Sequence, residues 1–131
     1  MDRTDDHPDQ FVVGVDGGGT RTVGVLAGAH GREIRRVETG PTNLHSVGRS
    51  AARANLRLLL EALLGDVCLV DQVGASVLGF AGAGRAADAA EMAVAVKDHG
   101  LTRGVRVTTD ARVALHGAHD GEPGLLLIAG T

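Results

Sequence analysis

The hydrophobic pattern divides this chain into short apolar runs followed by longer amphipathic stretches. Phe11–Val15 and Thr22–Ala27 are compact apolar runs rich in valine, and Arg32–Thr39 is a third, more polar one. Gly28-Ala29-His30-Gly31 supplies a turn between the last two. Runs of this length separated by turn residues predict an antiparallel meander of three strands. From about Ser46 to Leu64 the spacing changes: Ala52, Leu56, Leu59 and Leu63 recur at intervals of four, three and four, which predicts a helix stopped by Gly65. Gln72–Phe80 reads as a fourth strand. A second helix follows from about Arg85 to His99, with Ala89, Met92, Ala93 and Val96 as its stripe and Gly100 as its cap. Val105–Thr109 alternates as a strand, Asp110 to about Ala118 reads as a short helix, and Leu125–Ala129 as a last buried strand. The predicted order is β-β-β-α-β-α-β-α-β, an α/β chain whose later strands are parallel because helices cross between them.

Composition narrows what such a chain can do. Its 131 residues make one domain, with residues 1–10 a disordered lead-in and 11–131 the folded part. Only 2% of residues are aromatic and neither Trp nor Tyr occurs, so stacking of bases on rings is nearly excluded, and with it a single-strand nucleic-acid module. The net charge of −3 comes without any block of like charges, so electrostatics name no partner. Cys68 is the sole cysteine, which rules out an internal disulfide and reads as buried filler. The first ten residues hold no apolar signal core, and the longest apolar run is too short to span a bilayer. These features predict a cytoplasmic protein with no membrane partner.

Candidate chemistry concentrates where the first strand ends. Asp16-Gly17-Gly18-Gly19-Thr20-Arg21-Thr22 places a carboxylate, three glycines and two hydroxyls flanking an arginine between two strands. Glycines let a backbone approach a ligand closely and adopt φ > 0 at no steric cost, and their amides form an anion-binding concavity. A phosphate hairpin would use those amides and the Thr20 or Thr22 hydroxyl, with Asp16 holding Mg²⁺ through water. A plain glycine-rich β-turn is the competing reading, although hairpins need fewer glycines. Gly82-Ala83-Gly84-Arg85-Ala86-Ala87 matches a dinucleotide fingerprint at a strand-to-helix junction, so a Rossmann domain is a second reading. Against it, the expected acidic residue would lie about 20 residues on, whereas Asp110 lies 26 past Gly84. Asp110 reads either as an N-cap or as a ligand contact at a strand's carboxyl end. Asn43, after Gly40-Pro41-Thr42, is a turn residue that also offers a donor and acceptors to a sugar. His45, His116 and His119 show no metal-ligand spacing and read as solvated or capping residues.

Together Asp16–Thr22, Gly40-Pro41-Thr42-Asn43 and Thr109-Asp110-Ala111 resemble the N-terminal half of N-acetylglucosamine kinase-like members of the BadF/BadG/BcrA/BcrD-type ATPase family. That family lies in the actin, sugar kinase and Hsp70 superfamily, with a ribonuclease-H-like fold. The resemblance implies ATP and Mg²⁺ as cofactors and phosphorylation of an amino sugar. It implies that Asp16 and Gly17, Gly18, Gly19, Thr20, Arg21 and Thr22 form the first phosphate motif. It makes Asn43 a sugar contact and Asp110 the base that takes the proton of the accepting hydroxyl. Gly130-Thr131 resembles the start of the second phosphate motif, so the chain is expected to stop before its second domain and to be inactive alone; a homodimer, where one forms, would use that C-terminal half. The same family contains activator ATPases with an iron–sulfur cluster on paired cysteines, and the fold also serves non-catalytic sugar sensors. Both stand as alternatives, though Cys68 lies outside any glycine-flanked cluster motif and only ten polar residues precede the loop.

Overall fold

A computed structural model describes residues 11–28, 30–65 and 70–109. The lead-in, Cys68, Asp110, the predicted third helix, the last strand and Gly130-Thr131 lie outside the described residues.

The meander forms as the pattern predicts: β1 (Phe11–Gly17), β2 (Thr22–Gly28) and β3 (Glu33–Thr39). α1 (Leu44–Val47) and α2 (Arg49–Leu64) lead to β4 (Val73–Phe80), then α3 (Ala86–Asp98) and β5 (Val105–Thr108). The sheet order is β3-β2-β1-β4-β5. β1 pairs antiparallel with β2 and parallel with β4, and β4 is parallel to β5. The two crossovers therefore carry helices, as parallel connections require.

One face of the sheet makes the core. Val13 and Val15 of β1, Leu26 of β2 and Val73 and Leu78 of β4 are buried against α2 and α3. All four positions of the predicted α2 stripe are buried, and Leu60 and Leu64 widen it to six. Each fully buried leucine contributes about 1.5–3 kcal/mol of transfer free energy, so this helix anchors the domain. In α3 the apolar stripe is narrower, with Met92 and Val96 at 0% exposure.

Two expectations are corrected in detail. The helix predicted from Ser46 to Leu64 is two helices, because Gly48 sits at φ 86 and ψ 162 and ends α1 before α2 begins. β1 runs two residues further than Val15, with Asp16 opposite Val23 and Gly17 opposite Thr22. The glycine loop is correspondingly shorter than the sequence suggests.

Candidate active site

The carboxyl ends of β1, β4 and β5 open on one edge of the sheet, and their register aligns Asp16, Gly79 and Thr108 in a row. In parallel α/β sheets this edge is where ligands bind. The chain leaves β5 there two residues before Asp110, which itself lies outside the described residues, as do Gly130 and Thr131.

The glycine hairpin divides its labour. Gly17 belongs to the ladder, and a Cβ there would meet Thr42 Oγ1 at 2.4 Å and Phe80 Cδ1 at 2.7 Å. The Gly18 amide donates to the Arg21 carbonyl at 2.9 Å and closes the turn. Gly19 and Thr20 stand exposed at the tip, close to the exposed Asp16. None of the three glycines takes a positive φ, so this loop does not use the left-handed freedom that glycine permits. Gly17 is needed for close approach. Thr22 turns inward: it is 0% exposed and its hydroxyl shares a 2.9 Å hydrogen bond with Thr42. Thr20 is thus the hydroxyl that faces solvent. The Arg21 guanidinium lies 3.3 Å from the Glu38 carboxylate across an exposed ion pair.

The Thr22–Thr42 bond ties the hairpin to the Gly40–Asn43 segment. Asn55 holds that segment from α2, donating to the Pro41 carbonyl at 2.8 Å. Asn43 is the N-cap of α1, its Oδ1 accepting from the His45 amide at 2.9 Å. Its side chain lies against Gly82, which has φ +85 and where a Cβ would come within 2.4 Å of Asn43 Oδ1. His45 Nε2 lies 2.9 Å from Asp88 Oδ2, joining the Asn43 segment to α3. His45, Gly82, Gly84, Arg85 and Asp88 line a recess of about 340 Å³. Asp16 and the hairpin lie at the end of β1, and this recess lies at the end of the neighbouring β4, so the sheet brings the two together.

Asp88 is the residue that the sequence reading missed. It is 8% exposed and buried on the inner face of α3. A signal existed: Asp88 stands one turn before Met92 and two before Val96, on the same stripe. A carboxylate at such a position needs a partner, and His45 is that partner. The Gly82–Ala87 fingerprint is not a dinucleotide loop. A Rossmann sheet places that fingerprint after the first strand of a βαβ unit. Here the first three strands are antiparallel and the fingerprint follows the fourth.

A second recess of about 350 Å³ lies between α2 and α3, lined in part by Arg53, Arg57, Asp98 and His99 at the other end of α3. Burial holds the His99 imidazole below its usual range; Glu61 opposes that shift and Arg57 adds to it. Among the described residues no cluster of three or more His, Cys, Asp or Glu forms a metal site, and no described helix is long and apolar enough to cross a membrane.

Comparisons with known proteins bear on this edge. The model of the BadF/BadG/BcrA/BcrD ATPase family matches residues 13–131. The chain is 28% identical over 123 residues to an N-acetylmuramic acid/N-acetylglucosamine kinase of Clostridium acetobutylicum, covering 93% of this chain and 40% of that protein. It is 30% identical over 132 residues to an N-acetyl-D-glucosamine kinase of Dictyostelium discoideum, covering 93% of this chain and 41% of that one. A crystal structure from Chromobacterium violaceum, assigned as an N-acetylglucosamine kinase, superposes with a TM-score of 0.66 at 26% identity, over 89% of this chain and 41% of its own. A Porphyromonas gingivalis structure matches with the same TM-score at 23% identity, over 81% of this chain and 38% of its own, and shares the fold. The chain thus spans about 40% of the length of the curated relatives it matches, and its sheet is that of the actin-like ATPase fold.

Proposed function

The chain belongs to the BadF/BadG/BcrA/BcrD ATPase family, and on that premise we propose that it forms the N-terminal part of an ATP-dependent amino-sugar kinase. The observation that carries this reading is the shared edge, where the Asp16 hairpin and the Asn43 recess stand at the ends of adjacent parallel strands. A kinase needs both together: phosphates on one side, an accepting hydroxyl on the other, held in line.

In this reading the exposed tip, Gly19 and Thr20 with Arg21 behind it, faces the phosphates. Gly17, Gly18 and Thr22 hold the tip in place from within the hairpin. Asp16 fits a magnesium ion, since it is an exposed oxygen donor and Mg²⁺ is commonly held by one or two carboxylates plus substrate phosphates. The ion would neutralise phosphate charge. Asn43 meets the acceptor sugar, and Asp110 takes the proton of its hydroxyl as that oxygen bonds to the γ-phosphorus and the bridging bond to ADP breaks. Gly130 and Thr131 begin the second phosphate motif. Two relatives named as amino-sugar kinases support the substrate class. Use of ATP accords with a cytoplasmic location.

Steady-state kinetics of the full-length protein with N-acetylglucosamine test this reading. Asp110→Asn is expected to lower kcat by about 10²–10⁴-fold, the usual contribution of a general base, with the KM for ATP nearly unchanged. Full turnover in Asp110→Asn would remove the base assignment. Asp16→Asn is expected instead to weaken use of Mg·ATP, and unchanged nucleotide dependence would remove the phosphate hairpin.

A further inference from the structure

The cations of α2 outrun the acids of α3. Arg49, Arg53 and Arg57 recur at intervals of four and so form one row along α2. Arg49 meets Glu91 at 3.1 Å, and Arg53 meets Asp98 at 3.1 Å. Arg57 comes one turn later, where α3 has already ended at Asp98, and the group it faces is the His99 imidazole. We propose that the recess of about 350 Å³ at this point binds a phosphate group, held by Arg57, Arg53 and His99. The site is separate from the Asp16 hairpin and the Asn43 recess, and it does not rest on the kinase reading.

Three observations support it. Arg57 is exposed, and among the described residues its guanidinium makes no hydrogen bond or ion pair. His99 is half-buried beside it. Burial, with Arg57 adding to it against Glu61, holds that ring below its usual range, so near neutral pH it is uncharged and keeps one N–H to donate. The space between the helices comes from Ala54 of α2 and Ala95 of α3, whose methyl groups line the recess without filling it. Its volume falls within the range of about 300–1,000 Å³ typical of small-ligand sites.

Two carboxylates oppose an anion here. Asp98 lines the recess itself, and Glu61 stands one turn past Arg57 and acts on His99 from that side. Asp98 touches Arg53 through Oδ2 and Nη2, between side chains that are 64% and 44% exposed. A pair so exposed is weak, and a guanidinium has five N–H groups, so Arg53 still has donors for a second anion. Arg57 is then the surplus charge. A phosphate group carries three acceptor oxygens and up to two charges, which suits donors spread over two helices better than the two coplanar oxygens of a carboxylate. Ser50, one turn before Arg53, places a hydroxyl at the end away from Arg57, where the alcohol part of a phosphate ester would lie.

Calorimetric titration of the full-length protein tests this, with inorganic phosphate and glycerol 3-phosphate as probes and a non-hydrolysable ATP analogue present to fill the hairpin. Arg57→Gln is expected to weaken binding about 10–100-fold, as loss of a charge-assisted hydrogen bond predicts. Asp98→Asn removes an opposing charge and is expected to tighten it several-fold. Arg36→Gln is the control: it makes the same change in net charge on the sheet face away from α2, since its neighbour Arg35 is the one that reaches the Ala62 carbonyl, and it should leave binding unchanged. Tighter binding of glycerol 3-phosphate than of phosphate assigns the site to a phosphorylated small molecule, and equal binding assigns it to free phosphate. The proposal is overturned if neither probe binds saturably, or if Arg57→Gln weakens binding no more than Arg36→Gln does.

Discussion

Two glycine turns end adjacent strands at the same sheet edge, and they use glycine for opposite reasons. In the hairpin after β1, Gly17 has ordinary backbone angles and is small because Thr42 and Phe80 press on it. In the turn after β4, Gly82 sits at φ +85 and also receives the Asn43 side chain. The first turn presents its tip to solvent and hides its hydroxyl Thr22; the second leaves its glycine exposed at a recess, with one side held against Asn43. A count of glycines in the sequence does not distinguish these cases. What distinguishes them is which neighbour approaches, and that neighbour comes from the Gly40–His45 segment both times.

The largest effect should come from testing this division within one loop. Gly17→Ala forces a methyl group against two buried side chains, and overpacking of this kind costs about 2–3 kcal/mol. Gly19→Ala, two residues beyond the same ladder, meets nothing within 4 Å and needs no positive φ, so its effect should stay within about 0.5 kcal/mol. Gly82→Ala falls between them at about 2 kcal/mol, from the left-handed backbone and the displaced cap at Asn43. Urea unfolding of the three variants ranks them. Equal losses at Gly17 and Gly19 would mean that the hairpin glycines share one role.

The fold was legible because its signals are periodic. The α2 stripe at 52, 56, 59 and 63, the valine-rich strands and the capping glycines at 65 and 100 each place an element to within a residue or two. The site was legible only as residue types. Asp16 and the three glycines announced a loop at a strand end, but nothing local showed that Thr22 would bond Thr42 twenty residues on, or that Gly48 would split a helix whose apolar spacing continues past it. Asp88 was hidden for the same reason: its place on an apolar stripe is visible, but its partner His45 lies on another element. Long-range partners follow from the sheet order, which brings β4 beside β1 and so the second turn beside the first.

The buried Thr22–Thr42 pair is the link between the two turns, and removing it gives the next effect in size. Thr22→Val strands the Thr42 hydroxyl without a partner in a buried site, at about 1–2 kcal/mol. The double variant Thr22→Val/Thr42→Val removes both polar groups at nearly constant volume and should regain most of that loss. Unfolding free energies for the cycle therefore give a coupling of about 1 kcal/mol or more. Additive losses would show that the two segments are held together by packing alone. Because Thr42 precedes Asn43, the single variant should also raise the KM for the acceptor sugar more than that for ATP.

Arg21 separates stability from function at the hairpin and has the smallest structural effect. Its pair with Glu38 is 3.3 Å long with both side chains more than half exposed, at 66% and 56%. Exposed pairs of this kind contribute about 0–1 kcal/mol and weaken with salt. Arg21→Gln should therefore shift unfolding by no more than about 0.5 kcal/mol, against the much larger loss at Gly17 four residues away. If the tip faces phosphates, the same variant raises the KM for ATP several-fold, because a guanidinium beside the β-turn supplies charge that glutamine does not. Glu38→Gln is the matching control: it releases Arg21 from its partner and should leave the KM for ATP equal or lower. A KM unmoved by Arg21→Gln would reduce Arg21 to the surface partner of Glu38, and the phosphate-facing part of the hairpin to Gly19 and Thr20.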